Sequence, residues 1–194
     1  GELPAAKVQI EIDESDSDFV EQKLTWLKLD NQEIVLIAPG SIWATKRWLP
    51  EHFAVLCGML KNRGFIPVLT GSKSDSSLCA EIAGISGAAN LCGQTTIPQT
   101  IYLMQKSRLL VTNDSAPTHF AYLAGCPALV IYGPTSPKFG FGPRGEKDKM
   151  IQLEGLKCSP CRIHGSDKCP IKTFDCMKKL LPERVFKMCM EMIG

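Results

Sequence analysis

The fold is decided by residues 109–125, which read LLVTNDSAPTHFAYLAG. The apolar run at residues 109–111 predicts a strand that is covered on both faces of a sheet. The Asn-Asp-Ser triplet at residues 113–115 is typical of helix caps, and Pro117 suits a first helical turn. The apolar residues that follow share one helical face as far as Gly125, which would end the helix. We therefore predict a strand, a sharp turn and a helix.

The opening of this helix would lie at the carboxyl end of the strand, where an open α/β sheet binds its ligands. Unpaired backbone N–H groups at such a point favour a phosphate. The side chains expected there are those of Asp114, Ser115, Thr118 and His119. A structural alternative stays open, because an Asp-Ser pair often only caps a helix and a histidine can be a packing residue.

The chain as a whole alternates strands with helices. This pattern indicates right-handed βαβ units and hence an α/β fold, a Rossmann-like doubly wound parallel sheet. Strands are predicted at residues 8–12, 34–38, 66–70, 109–111, 128–132 and 149–153, with a short extended piece at 90–93. Further helices are predicted at residues 19–29, 51–63, 97–105 and 182–193, with another that follows residue 75 and ends near residue 84. Residues 1–32 form a linker strand and helix, and residues 33–194 form the main domain with a cysteine-rich loop at 156–178.

Polar loops follow four of the predicted strands. They are Gly-Ser at residues 40–41, Gly-Ser at 71–72, Asp-Ser at 114–115 and Gly-Pro-Thr-Ser at 133–136. In a parallel sheet these loops emerge on one edge and together line one crevice. We predict a ligand there that carries phosphate or resembles a nucleotide.

The composition is that of an ordinary globular chain of 194 residues, enough for one sizeable domain. The formal net charge of +2 gives no case for a nucleic-acid partner. No apolar run approaches the roughly 20 residues that a membrane span requires. The first twenty residues are too acidic and polar for a signal peptide. Nine cysteines without a secretory signal favour a reducing compartment, the cytoplasm.

Eight of the nine cysteines fall into two groups, and Cys189 lies in the last predicted helix. Four are scattered among apolar segments and are predicted to be buried thiols, namely Cys57, Cys79, Cys92 and Cys126. Four others crowd into nineteen residues and could offer thiolates to a zinc ion: Cys158, Cys161, Cys169 and Cys176. The first pair has Cys-x-x-Cys spacing, but the second is spaced by six, looser than a usual zinc knuckle. Disulfides formed after purification, and reduced packing thiols, stay open as alternatives.

The most specific motif is the Asn-Asp-Ser-x-x-x-His pattern of residues 113–119 combined with the Lys-Arg-Trp of residues 46–48. Further motifs lie at residues 39–41, 49–50, 53, 68–71, 90–95, 125–127 and 132–137, and at the cysteine-containing residues 158–161, 169–170 and 176–177. Together these motifs resemble the bacterial lipopolysaccharide heptosyltransferases of glycosyltransferase family 9, in particular the C-terminal domain of the heptosyltransferase II branch. The resemblance covers about residues 34–194. Its one departure is Ala116, where the family usually has glycine.

The resemblance implies a GT-B enzyme, in which two Rossmann-like domains face each other. In that family the N-terminal domain holds the acceptor and the carboxylate base, and the C-terminal domain holds ADP-heptose. This chain would supply the second domain, and residues 1–32 would link it to the first. The implied activity is transfer of heptose from ADP-heptose to the lipopolysaccharide inner core, in the cytoplasm or at the inner face of the inner membrane. No cofactor is expected to be required, and this chain alone is expected to be inactive.

The resemblance also implies roles for single residues. Lys46 would contact the donor phosphates, where a cation offsets the charge that grows on the leaving ADP. Asp114 would hold sugar hydroxyls, so Lys46 and Asp114 are the expected catalytic residues. Contacts to phosphate are implied for Ser41, Ser115, Ala116 and His119, and a contact to adenine for Thr95. A solvated loop lysine at position 46, and packing roles for Trp43 and Trp48, stay open.

Two other classes of function stay open as well. A nucleotide-sugar epimerase of the GT-B fold would use a similar donor crevice, although the sequence singles out no pair of acid–base carboxylates facing the sugar. The other class is a metal-stabilised, non-catalytic binding module built on residues 158–176. The acceptor position, and the choice between an ADP and a UDP donor, are left open by the sequence.

Overall fold

The computed structural model describes residues 10–194. Its centre is a six-stranded sheet in which every neighbouring pair of strands is parallel. The strands are β1 (Ile34–Ala38), β2 (Ile66–Leu69), β3 (Ala89–Asn90), β4 (Leu109–Asn113), β5 (Ala128–Tyr132) and β6 (Lys149–Gln152). Their order across the sheet is β3-β2-β1-β4-β5-β6. The predicted doubly wound parallel sheet is thus confirmed.

Three of the four inner strands, β1, β4 and β5, are buried along their whole length, as their apolar runs predict. Successive residues of β1 belong to two different apolar cores, because side chains alternate across a strand. Val35 and Ile37 pack into one core, and Ile34, Leu36 and Ala38 pack into the other. Both faces of the sheet are therefore covered.

Helices form the two covering layers. They are α1 (Glu14–Trp26), α2 (Pro50–Lys61), α3 (Ser76–Ser86), α4 (Ile97–Gln105), α5 (Pro117–Ala124), α6 (Asp175–Lys178) and α7 (Pro182–Ile193). The helices α2, α3 and α7 pack on one face of the sheet, and α1, α4 and α5 pack on the other. Within residues 10–194, no helix is both long and apolar enough to cross a membrane.

Most of the predicted elements are confirmed, and two corrections concern the first thirty residues. The first helix begins at Glu14 instead of residue 19, because the acidic residues at its start favour the positive end of the helix dipole. It also packs against α4, where Gln99 Nε2 donates to Asp16 Oδ1 at 2.8 Å. Of the strand predicted at residues 8–12, residues 8 and 9 lie outside the described residues, and residues 10–12 form no strand.

Short helical turns are the elements that the sequence analysis missed. They are the 3-10 turns Ala44–Lys46, Lys73–Asp75 and Pro137–Phe139, together with α6. Each is three or four residues long, too short for apolar periodicity to show. The first of them carries Lys46 and matters for the site.

The strand order changes direction between β1 and β4. The helix that follows β1 packs on one face of the sheet, and the helix that follows β4 packs on the opposite face. The two loops diverge at this switch point and leave a crevice at the carboxyl ends of the strands. The topology therefore places a ligand crevice beside Ala38 and Asn113, the last residues of β1 and β4.

Candidate functional site

The crevice holds a cavity of about 690 Å³, a size typical of small-molecule sites. Residues of the loops that follow β1, β2 and β4 form most of its wall, as the sequence predicts. The fourth predicted loop, residues 133–136, does not line the cavity. It contributes indirectly, because Thr135 Oγ1 donates to Asp114 Oδ2 at 2.7 Å.

An ion pair dominates one side of the cavity. The ammonium group of Lys46 lies 2.7 Å from Asp114 Oδ2, and the two side chains are only 13% and 9% exposed. Lys46 Nζ also lies 3.3 Å from the backbone oxygen of Asp114. Both residues line the cavity, so the two predicted catalytic residues meet each other at its wall.

A buried amide fixes the loop that carries Lys46. Asn113 Nδ2 donates to the backbone oxygen of Pro39 at 2.7 Å, and Asn113 Oδ1 accepts from the backbone N–H of Trp48 at 3.0 Å. The indole of Trp48 is fully buried and donates to the oxygen of Leu180 at 2.9 Å. Trp48 is therefore a packing residue, and Asn113 ties both ends of residues 39–48 to β4.

Residues 113–115 do not cap α5, which corrects the sequence prediction. The cap position is occupied by Ala116, and no side chain accepts a hydrogen bond from the helix start. The side chain of Asn113 serves the loop after β1 instead, and that of Asp114 serves Lys46. The side chain of Ser115 donates back to the oxygen of Asn113 at 3.2 Å.

Two backbone donors at this helix start are free for a ligand. Within the described chain, the N–H groups of Ser115 and Ala116 have no hydrogen-bond acceptor, and both residues line the cavity. A bound anion would satisfy them and would also lie at the positive end of the helix dipole.

The loop after β2 forms the opposite wall. The carboxylate of Asp75 accepts from the backbone N–H and the hydroxyl of Ser72 at 3.0 and 2.6 Å, and this fixes the loop. Gly40 closely approaches this carboxylate, so a Cβ atom at position 40 would collide with Asp75. Thr70 also lines the cavity, and its buried hydroxyl has no partner among the described residues. A buried hydroxyl without a partner is costly to the fold.

The structure brings together most of the predicted site residues. Five line the cavity: Ser41, Lys46, Asp114, Ser115 and Ala116. Two predicted contact residues do not line it. His119 is exposed, and Thr95 Oγ1 lies 2.8 Å from the hydroxyl of Thr100, which does line the cavity. The contacts proposed for His119 and Thr95 stay predictions.

Several wall residues were not foreseen from the sequence. They are Thr70, Ile97, Thr100, Phe120 and His164. Trp43, for which the sequence left both packing and ligand contact open, also lines the cavity. The imidazole of His164 reaches the cavity from the cysteine-rich loop, far away in the chain. The polar loops after the strands signalled this region, but no local pattern marks wall residues whose neighbours are distant in sequence.

Three of the four crowded cysteines lie in the loop between β6 and α6, whose His164 lines the cavity, and Cys176 lies in α6. This loop is fixed to the turn after β5, because the N–H of Cys161 donates to the oxygen of Pro134 at 2.7 Å and Ser159 Oγ donates to the oxygen of Gly133 at 2.7 Å. Cys176 approaches the same turn, since a Cβ atom at Gly133 would lie 3.3 Å from its sulfur. All nine cysteines are free thiols, and the four predicted to be buried are buried.

The four clustered thiols differ in acidity. Burial and the neighbouring thiols raise the pKa of Cys176 to about 11, and burial also raises the pKa of Cys161. The pKa of Cys169 is lowered, because backbone N–H groups of residues 171–174 outweigh the effect of its burial. In residues 10–194, no three His, Cys, Asp or Glu side chains are arranged to hold a metal ion. Zinc binding by these cysteines therefore stays a prediction.

Comparisons with known proteins agree with this architecture. The structure of the ADP-heptose lipopolysaccharide heptosyltransferase II of Escherichia coli superposes with a TM-score of 0.77 at 25% identity. The match covers 98% of this chain and 55% of that one. A glycosyl transferase family 9 structure from Veillonella parvula gives a TM-score of 0.79 at 23% identity, covering 96% of this chain and 53% of that one.

Sequence comparison is more specific. The lipooligosaccharide heptosyltransferase 2 of Campylobacter jejuni is 30% identical over 164 residues, which are 81% of this chain and 50% of that protein. The chain thus spans about half the length of this curated relative. Residues 2–171 match the family described as glycosyltransferase family 9 (heptosyltransferase). The chain therefore belongs to glycosyltransferase family 9, the heptosyltransferase family.

Proposed function

We propose that this chain is the donor-binding part of a heptosyltransferase and that its cavity binds ADP-heptose. The observation that carries the proposal is the position of Lys46, a nearly buried cation at the wall of a cavity that also contains free backbone donors. The similar E. coli protein is an ADP-heptose lipopolysaccharide heptosyltransferase, and this similarity supports the choice of ADP-heptose as donor and of transfer to lipopolysaccharide.

Lys46 can contact a phosphate without leaving Asp114. An ammonium group has three N–H donors, and two of them face the carboxylate and the backbone oxygen of Asp114. The third remains for a ligand oxygen. When the bond between the sugar and ADP breaks, negative charge grows on the leaving diphosphate, and a fixed cation in a site shielded from water stabilises it strongly.

Asp114 is suited to the sugar, not to the phosphates. A carboxylate only accepts hydrogen bonds and would repel a diphosphate, whereas sugar hydroxyls are donors. Its Oδ2 atom is occupied by Lys46 and Thr135, and within the described residues its Oδ1 atom accepts no hydrogen bond. We assign Oδ1 to a hydroxyl of the heptose, next to phosphates held by Lys46, Ser115 and Ala116.

The acceptor in this proposal is the inner core of lipopolysaccharide, and the enzyme works in the cytoplasm, as a peripheral protein at the inner face of the inner membrane. The carboxylates at the cavity wall are engaged, since Asp75 accepts from Ser72 and Asp114 is paired with Lys46. His119 does not line the wall. In this proposal an additional domain supplies the base that takes the proton from the acceptor hydroxyl, and it also holds the acceptor.

Calorimetric titration with ADP, UDP and ADP-heptose tests the donor assignment. Lys46→Ala should weaken the binding of ADP by roughly 1–3 kcal/mol, the loss expected for a charge-assisted hydrogen bond. Lys187→Ala is the control, because it removes one exposed cation outside the cavity. Equal affinity of the Lys46→Ala variant and the parent at fixed salt would contradict the role of Lys46, and tighter binding of UDP than of ADP would contradict the donor.

A further inference from the structure

Lys46 belongs to a short turn that has few hydrogen bonds of its own. The 3-10 turn Ala44–Lys46 is one turn long, and its local hydrogen bonds are those from the N–H groups of Lys46 and Arg47 to the oxygens of Trp43 and Ala44. Such a turn has poor hydrogen-bond geometry. Contacts from elsewhere in the chain therefore fix the turn, in addition to the bonds of Asn113 to Pro39 and Trp48 at the two ends of the loop.

The cysteine-rich loop supplies that support through three hydrogen bonds to Thr45. The backbone N–H and the hydroxyl of Thr45 both donate to the oxygen of Ser166, at 3.0 and 2.7 Å. The N–H of Ser166 donates back to Thr45 Oγ1 at 2.8 Å. Thr45 is only 4% exposed, so competition from water is small.

Gly165 makes a close contact with the same turn. It has a φ of +87°, and a Cβ atom there would lie 3.0 Å from Trp43 Cβ and 3.1 Å from Lys46 Cγ. The backbone at position 165 therefore packs directly against the aliphatic stem of Lys46. Only glycine combines this backbone angle with such a close approach.

The same loop also reaches the other half of the ion pair. Its bonds to Gly133 and Pro134 fix the turn whose next residue, Thr135, donates to Asp114 Oδ2. The cysteine-rich loop thus contacts both the turn that carries Lys46 and the turn that bonds to Asp114.

We infer that Thr45, Gly165 and Ser166 form a latch that positions Lys46 toward the donor diphosphate. The three are positioning residues, because none of them lines the cavity and they act on the ligand through Lys46. This inference rests on the proposed function. It predicts that loosening the latch weakens recognition of the phosphates and leaves recognition of the nucleoside intact.

Thr45→Val is the direct test, because it removes the hydroxyl, and with it two of the three hydrogen bonds, while keeping the shape of the side chain. Calorimetry should show about fivefold to tenfold weaker binding of ADP, as expected for the loss of a hydrogen bond that orients a charged group. Adenosine, which has no phosphate, should bind as it does to the parent. Thr45→Ser keeps the hydroxyl and should restore the affinity for ADP.

Gly165→Ala tests the packing contact and has a matched control. Gly155 also has a positive φ, +78°, but a Cβ atom there meets nothing within 4 Å. Gly155→Ala therefore introduces the same backbone strain without touching Lys46. We expect Gly165→Ala to weaken ADP binding at least fivefold and Gly155→Ala to leave it unchanged, with melting temperatures measured for both variants.

The outcomes separate the latch from the proposed function. In a Lys46→Ala background, Thr45→Val should cause no further loss of ADP affinity, because the latch acts through Lys46. If the parent chain binds ADP and the Thr45→Val variant binds it with the same affinity, the latch is overturned and the proposed function is not. Equal losses for ADP and adenosine would overturn the latch too, since they would mean general loosening. A parent chain that binds neither ADP nor ADP-heptose would overturn the proposed function and the latch with it.

Discussion

The Lys46–Asp114 pair should contribute measurably to the stability of the fold, and the structure sets the size of the effect. The pair is almost buried, with side chains 13% and 9% exposed, and Asp114 also accepts from Thr135. Removing one partner of a fully buried pair costs about 3–5 kcal/mol, whereas exposed pairs contribute about 0–1 kcal/mol. We expect about 2–3 kcal/mol for Lys46→Met, which leaves the carboxylate with only one donor.

Asp114→Asn should cost less, about 1–2 kcal/mol, because an amide oxygen can still accept from Thr135 and Lys46 keeps some access to water. The double variant contains neither charge. Its loss should therefore be smaller than the sum of the two single losses by about 1–2 kcal/mol. The free energies of unfolding come from urea denaturation at constant salt, with the slope of each transition compared between variants.

The control is an exposed pair of the same chemistry. Lys106 Nζ lies 2.6 Å from Glu21 Oε1, closer than the two groups in the buried pair, but the side chains are 43% and 44% exposed. We expect a coupling of at most about 1 kcal/mol from Lys106→Met and Glu21→Gln, because water screens the pair. If the Lys46–Asp114 cycle were additive within about 0.5 kcal/mol, or weaker than this control, the argument from burial would be refuted.

Three further predictions concern the cysteines and the reaction. If residues 158–176 bind zinc, elemental analysis should find about one zinc per purified chain, and chelation should lower the melting temperature of the protein. A metal-free protein whose melting temperature does not respond to a chelator would leave packing as the role of these cysteines. In metal-free protein at neutral pH, iodoacetamide should modify Cys169 before Cys161, because a lowered pKa leaves more thiolate; mass spectrometry of timed samples would show the reverse order if this were wrong. The chain alone should not transfer heptose from ADP-heptose to an inner-core acceptor, and transfer should appear on adding a separately produced N-terminal domain. Robust transfer without that domain would place the base within this chain and contradict the prediction.

The sheet was predictable because its signal is local. Apolar runs such as residues 34–38 and 128–132 identify buried strands without reference to the rest of the chain, and β1 and β5 coincide with them. The switch point follows from the order of strands and helices. Three of the four loops predicted to line the crevice do so, because parallel strands place their carboxyl ends on one edge.

The rest of the site was not predictable because it depends on contacts between distant segments. Asn113 looks like a helix cap in sequence, but its side-chain amide is hydrogen-bonded to Pro39 and Trp48, which lie more than sixty positions away. The contact between Thr45 and Ser166 joins residues 121 positions apart. The sequence around Asn113 or Thr45 does not show whether the side chain contacts a distant segment or solvent.

This assembly from distant segments has a consequence for folding. The cavity wall is complete only when β1, β2 and β4 have paired and Ser166 has bonded to Thr45, so contacts of high sequence separation form before any ligand can bind. A partly folded chain would have no affinity for the donor. Saturating donor would then protect the whole molecule, adding about 2.7 kcal/mol to its stability at a free concentration one hundred times Kd. Bound chains would thereby resist proteolysis at sites far from the crevice, whereas unliganded chains would be degraded first.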